Sequence, residues 1–265
     1  MQYFGIDSAT SWPTIKDRVI AAYGTPHWIG RYLFNYSLNA QEVQSIFQDG
    51  LRILPIDNGT GPTLVTGTFY DGYTHGRGTL SRLYDLRVPT GVSVAIDIET
   101  GWNLSKEFAA GYVSALSTAG YLPVAYLNPN ESATLESWQA TDCPLYVSEP
   151  EYDNWANKRY DEWLTVPTNN TLYHQYWENS LDNLIDLDQC TQEGFVRLWY
   201  PRKEHVTTML KSAGMKHYHR HGGPNIMTLN KGMKVLDTGI RFGTWALVEW
   251  YGKATGWVLS NVLAD

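Results

Sequence analysis

The segment Ser93-Val-Ala-Ile-Asp-Ile-Glu99 is apolar and largely β-branched on both faces until it ends in two acids. A strand without a polar face has to be covered on both sides, as in a parallel sheet flanked by helices. Residues 2–7, 28–33, 52–57, 122–127 and 145–148 read as further strands. Between them lie helical stripes. Val43, Ile46 and Phe47 follow Asn39-Ala-Gln-Glu42, which has the spacing of a capping box, and Gly50 stops the run. Ala109, Tyr112, Val113 and Leu116 form a second stripe closed by Gly120. Strands alternating with helices imply an α/β fold.

The rhythm breaks late. Residues 172–177 and 184–188 are separated by a short polar turn that has no room for a crossover helix, so they are expected to form an antiparallel hairpin. With about eight strands in all, residues 1–200 read as an irregular TIM-type β/α barrel. Residues 201–212 read as a polar linker. From 213 to 265 the text is all-β, with short strands at 234–238, 245–250 and 256–260, as in a small closed SH3-like barrel.

Several strands end in carboxylates: Asp7, Asp57, Asp97 with Glu99, and Asp186 with Asp188. In a parallel barrel these ends share one rim, where active sites form. Asp97 and Glu99 are two apart and point the same way, roughly 6.5–7 Å apart at the backbone. Crowded acids raise one another's pKa, and glycoside cleavage needs a protonated carboxyl beside an ionised one. A single Asp after a strand is ordinary loop chemistry; a cluster at four strand ends points to a site. Tyr70, Trp102, Tyr126, Tyr176 and Trp177 lie near the same ends and suit stacking on sugar faces. Carboxylates without His also suit Mg²⁺ or Ca²⁺, but the acid pair is the favoured reading, with no metal and no cofactor.

Charge excludes other classes. The formal net charge is -7 and no basic block occurs, so neither nucleic acid nor an anionic lipid surface is an expected partner. No apolar run approaches the ~18 residues of a membrane span. Residues 1–7 carry neither a basic nor a continuous apolar leader region, so synthesis in the cytoplasm without a signal peptide is expected. Cys143 and Cys190 have neither disulfide-framework nor zinc spacing and read as two buried thiols.

Gly5-Ile-Asp7-Ser8, Ala95-Ile-Asp97-Ile-Glu99, and His174-Gln-Tyr176 followed by Ile185-Asp186-Leu187 resemble the landmark segments of the family 25 glycoside hydrolases, the lysozyme-type muramidases. The wider text, with Gly30-Arg-Tyr32 and Gly120-Tyr121, is closer to the related glycoside-hydrolase-like domains of unknown function. The similarity covers residues 1–199. It implies a β/α barrel with Glu99 as general acid and Asp97, Asp7 and Asp186 completing the catalytic set. Asp188 stands where an Asn is expected, and Asp57 and the segment Tyr146-Val-Ser-Glu149-Pro-Glu-Tyr152 are not muramidase landmarks. Asp57, Trp102, Tyr126, Tyr176 and Asp188 are the candidate substrate contacts.

The tail is similar to bacterial SH3 domains through Arg220-His-Gly-Gly-Pro224, Leu229-Asn-Lys-Gly232 and Gly256-Trp257-Val258. That implies binding of cell-wall peptide, with Tyr218, Trp245 and Trp250 as candidate contacts. His217, His219 and His221 alternate and are expected as exposed loop residues. Together the two resemblances imply a peptidoglycan-directed glycosidase, such as an endolysin or a delivered lytic effector released by a separate pore or particle. The rival is a non-catalytic wall-binding or structural protein that keeps the barrel as scaffold.

Overall fold

The computed structural model describes residues 2–148, 170–201, 205–216, 225–250 and 254–264. Eight strands close into a barrel: β1 (Gln2–Ser8), β2 (Trp28–Tyr32), β3 (Arg52–Asp57), β4 (Ser93–Asp97), β5 (Leu122–Leu127), β6 (Leu145–Ser148), β7 (Thr171–Asn179) and β8 (Ile185–Thr191). Neighbours from β1 to β7 are parallel; β8 runs antiparallel to both β7 and β1. Only the single turn α7 (Ser180–Asn183) joins β7 to β8, too short for a crossover. The expected α/β barrel with an irregular last portion is the observed one.

The period of two in each strand separates two cores. On β4, Val94 and Ile96 face the helices, as does Ile98 just beyond it, while Ala95 joins Trp28, Leu54, Val124 and Tyr173 in the lumen. Both faces are therefore buried, which is why the strand has no polar face. The outer layer comprises α1 (Trp12–Tyr23), α2 (Ala40–Gln48), α3 (Pro62–Val65), α4 (Phe69–Asp85), α5 (Lys106–Thr118), α6 (Ser132–Gln139) and α8 (Gln192–Val196).

One local expectation changes, and one helix has no counterpart in the sequence reading. Asn39 caps α2 by accepting from the amides of Gln41 and Glu42, but Glu42 does not complete a capping box. Its carboxylate turns inward to Arg31 Nε at 2.7 Å and to the amide of Trp12 at 2.9 Å, so a buried ion pair ties β2 to α2 and the same carboxylate holds the start of α1. That helix is α4, whose buried face of Gly72, Gly76, Thr79 and Leu83 is mostly small residues and which also holds Gly78. Each interior glycine disfavours a helix by about 1 kcal/mol. Packing against α5 overrides that: a Cβ on Gly72 would lie 2.0 Å from the Phe108 carbonyl oxygen, and one on Gly111 2.0 Å from that of Phe69. The helices touch backbone to backbone. A capping box of Thr68 and Asp71 starts α4.

The tail forms one six-stranded sheet in the order β11-β10-β14-β13-β12-β9, from β9 (His205–Thr208), β10 (Ala213–Lys216), β11 (Asn225–Leu229), β12 (Lys234–Phe242), β13 (Trp245–Trp250) and β14 (Ala254–Leu259). Its first strand falls inside the stretch expected as a linker, because 205–208 pairs with β12. The tail docks on the barrel: Trp245, Leu247 and Trp257 bury together against Val196, and Arg197 lies 5.1 Å over the Trp257 ring. Thr90, before β4, donates to Glu249 at 2.6 Å. Trp245 is thus committed to packing, and Trp250 lies half-buried against the tail's own core. The triple-histidine run, Tyr218 and the Arg220–Pro224 motif lie outside the described residues. Cys143 and Cys190 are free thiols, Cys190 buried and Cys143 half-buried. Among the described residues no helix is long and apolar enough to cross a membrane.

Gly111→Ala should therefore force α4 and α5 apart and destabilise the fold by about 1–3 kcal/mol, the range for overpacking. A urea midpoint equal to wild type would contradict the close contact.

Candidate active site

The lumen positions at the upper strand ends converge. Asp7 is the penultimate residue of β1, Tyr32 ends β2 and Asp97 ends β4; Tyr126 comes from β5, Tyr146 from β6 and Gln175 from β7. Because β8 runs backwards, Asp186 lies opposite Asp7 and Asp188 opposite Gly5, one step deeper. Gly30 makes the space: a Cβ there would sit 2.7 Å from the Cβ of Asp7.

Asp7 is the hub. Its Oδ2 lies 2.8 Å from the Tyr146 hydroxyl and 3.5 Å from Gln175 Nε2. The same Tyr146 oxygen lies 2.7 Å from Asp188 Oδ1. The Gln175 amide is oriented by two hydroxyls, Tyr126 at 2.7 Å and Ser148 at 2.9 Å, both donating to Oε1. Burial and then the Asp186 charge push the Asp7 carboxyl up to about 7, against the hydrogen bonds from Tyr146 and Asp188 and the attraction of Arg31. Asp188 is fully buried and its carboxyl is held well above the usual range by burial and by Asp7.

Nearer solvent stand Asp97, Glu99 and Asp186. Burial and then the Glu99 charge raise Asp97 strongly. Asp186 rises to about 6 through burial and the charges of Glu178 and Glu99, opposed by the Asn179 amide that donates to it at 2.7 Å. Glu99 lies just past the end of β4 and is exposed. Its carboxyl is raised by partial burial and then by Glu178. The expected coupling of Asp97 and Glu99 therefore bears on Asp97, and the like charge that raises Glu99 comes from β7. Tyr32 is held neutral by the charges of Asp7, Asp97, Asp186 and Glu99 and by burial.

The sequence candidates divide. Asp7, Asp97, Glu99, Tyr126, Asp186 and Asp188 come together. Asp57 does not offer a substrate contact: it is 0% exposed, and it accepts from Thr79 at 2.5 Å, Tyr112 at 3.1 Å and the Gly59 amide at 3.0 Å, with His75 Nε2 at 3.0 Å. It fastens α4 and α5 to β3. Tyr176 is also corrected, since it points outward into the layer between sheet and helices. Trp102 and Trp177 are half-buried against that same layer, and Tyr70 is exposed on the first turn of α4. Tyr32, Tyr146, Gln175 and Glu178 were not among the sequence candidates. The lumen parity of their strands was the available signal for the first three; Glu178 follows a register shift between Gln175 and Trp177 that parity does not reveal. Among the described residues no group of three or more His, Cys, Asp or Glu has the geometry to hold a metal ion.

The family model of the Rv2525c-like, glycoside hydrolase-like domain matches residues 16–191. The chain belongs to this family. The match spans β2 to β8, and hence every acid of the rim except Asp7. Solved structures with the same fold include an uncharacterized B. stearothermophilus protein, 20% identical with a TM-score of 0.64, covering 74% of this chain and 99% of that one. The Mycobacterium tuberculosis Tat-secreted protein Rv2525c, solved with L-tartrate, is 17% identical with a TM-score of 0.52, covering 72% and 96%. GHIP, a glycosyl hydrolase 25 of Streptococcus pneumoniae, is 12% identical over 75% and 94%, at a TM-score of 0.48 that carries no argument about chemistry. No curated protein matches the chain. The glycoside hydrolase-like fold is thus established by family.

Raised carboxyls tie stability to pH. The folded values of about 7 for Asp7 and about 6 for Asp186 exceed the ordinary 3.8 of an unfolded aspartate. Between these limits the folded chain binds more protons, so this contribution is full below about pH 4 and is lost as pH rises through about 6 to 7. The melting temperature should fall between pH 4.5 and 7.5, and Asp186→Asn should flatten the fall. A melting temperature that rises over this window, or an unchanged slope in the variant, would count against the assignment.

Proposed function

We propose that this glycoside hydrolase-like domain is a glycosidase that acts on peptidoglycan or a related amino-sugar polymer, with Glu99 as its general acid. The observation that carries the reading is the contrast among the acids. Glu99 is exposed and raised, while Asp7, Asp97 and Asp186 crowd behind it at the open end of the barrel. A solvent-facing carboxyl that binds its proton more tightly than usual can deliver it to a leaving glycosidic oxygen. Asp186, raised to about 6, is largely ionised at neutral pH and supplies negative charge for the positive character that develops at the sugar carbon. Asp7 adds to that field from below as it ionises through about pH 7, and Tyr126 lies beside it, donating to Gln175 at 2.7 Å.

In this proposal the SH3-like tail binds cell-wall peptide, and the protein works at the wall after release by a separate pore or particle. The docking of the tail through Trp257 supports a module held at fixed orientation rather than on a loose tether. The second reading, a wall binder that does not cleave, is favoured by the burial of Asp7 and Asp188, which withdraws two of the acids from direct contact with a sugar.

Purified peptidoglycan digested with the protein should yield new reducing ends by mass spectrometry, muramic acid for a muramidase. Glu99→Gln should reduce the yield at least about 100-fold, the lower bound for losing general acid catalysis. Wild-type turnover in that variant would remove Glu99 from the chemistry, and wall binding without new ends from the native chain would favour the binder.

Removing residues 205–265 should abolish sedimentation with intact walls, because the tail supplies effective concentration at the polymer. Cleavage of a soluble glycan should survive with a lowered melting temperature, since Val196 and Arg197 lose their cover. A truncated protein that still sediments would overturn the role given to the tail.

A further inference from the structure

The Tyr146 hydroxyl sits between two carboxyl oxygens, 2.8 Å from Asp7 Oδ2 and 2.7 Å from Asp188 Oδ1. A phenol carries one hydrogen and can otherwise only accept. Two ionised carboxylates would both need that hydrogen, so one of the acids must itself be a donor. The other Asp188 oxygen, Oδ2, is buried without a hydrogen-bond partner.

The surroundings decide which acid holds it. Asp7 faces Gln175 Nε2, whose amide is fixed by Tyr126 and Ser148, and feels the weaker charge of Arg31, which is itself paired with Glu42. Asp188 is completely buried, and its neighbour Cys190 on the same strand is a thiol held neutral by burial. The other titratable groups facing the pair are Asp97 from β4, Asp186 from β8, and the neutral phenols of Tyr32 and Tyr126. Apart from Arg31 they are negative or neutral, so they oppose a second charge on the trio. We propose that Asp188 is held as a neutral carboxylic acid and acts as a positioning residue, donating its proton so that the single negative charge of the Asp7–Tyr146–Asp188 trio resides on Asp7. This rests on reading the rim as the working end of the barrel, where Asp7, ionising through about pH 7, then supplies the negative charge beneath the substrate. The earlier candidate role of Asp188 as a substrate contact is replaced: with no exposed surface, it acts through Asp7.

The test is a carboxyl titration of the full chain without substrate, by NMR of ¹³C-labelled aspartate assigned through its own backbone, from pH 4 to 8. The Asp188 carbon should keep its protonated position throughout. Asp188→Asn, which puts another neutral donor in its place, should move the Asp7 midpoint by less than about half a unit. Tyr146→Phe, which removes a donor, should raise that midpoint by about one unit or more. An Asp188 signal that titrates below pH 7 would overturn the proposal. So would a fall of about one unit or more in the Asp7 midpoint of Asp188→Asn, the effect of deleting a neighbouring charge. If Asp188→Asn fails to fold, the native titration and Tyr146→Phe still decide. The readout does not involve hydrolysis, so an inactive protein with a neutral Asp188 would refute the glycosidase reading alone.

Discussion

Asp7 and Asp186 meet because the last strand of the barrel runs backwards against the first. Seven parallel strands carry their upper ends to one rim, and a parallel eighth would have needed a covering helix. The single turn at Ser180–Asn183 instead returns β8 directly, so residues at the start of β8 stand beside residues at the end of β1. Closure and acid clustering are one event. Four carboxyls from β1, β4 and β8, together with Glu99 just beyond β4, share the mouth of the lumen.

The barrel treats its buried acids in two ways. Asp57 is fully satisfied by donors from α4, α5 and its own loop, and works as a fastener between sheet and helices. Asp97 has a buried Oδ1 without a hydrogen-bond partner and lies near Asp7 and Glu99, an arrangement that favours the protonated form. Buried polar groups left in that state lower stability, so the rim is where this fold departs from good packing. The compensation lies elsewhere, in the backbone contact of α4 with α5 and the buried Arg31–Glu42 pair that anchors α2 to β2.

The far end of the barrel has a different role. Thr90, Val196 and Arg197 receive the tail through Glu249 and the indole of Trp257. A tryptophan that reads in the sequence as part of a small domain's own strand is in fact shared between two units. Trp245 follows the same pattern. In a small sheet an aromatic side chain has a core face and a docking face equally available, and only the neighbouring unit selects between them.

Local composition alone determined the alternating elements, the late hairpin, the barrel class and the line of strand-end acids, because strand and helix periods and turn length act over a few residues. It did not reveal α4, where glycines that disfavour a helix in isolation permit its contact with α5. Nor did it separate Asp57 from Asp7, since both end a strand after apolar residues; which carboxyl meets donors and which meets other carboxyls depends on elements far apart in the chain. The Tyr146 hydroxyl between Asp7 and Asp188 is the clearest case. Parity places all three in the lumen, but a shared proton depends on distances of a few tenths of an ångström, and those are set by the register of β1, β6 and β8 around the closed barrel.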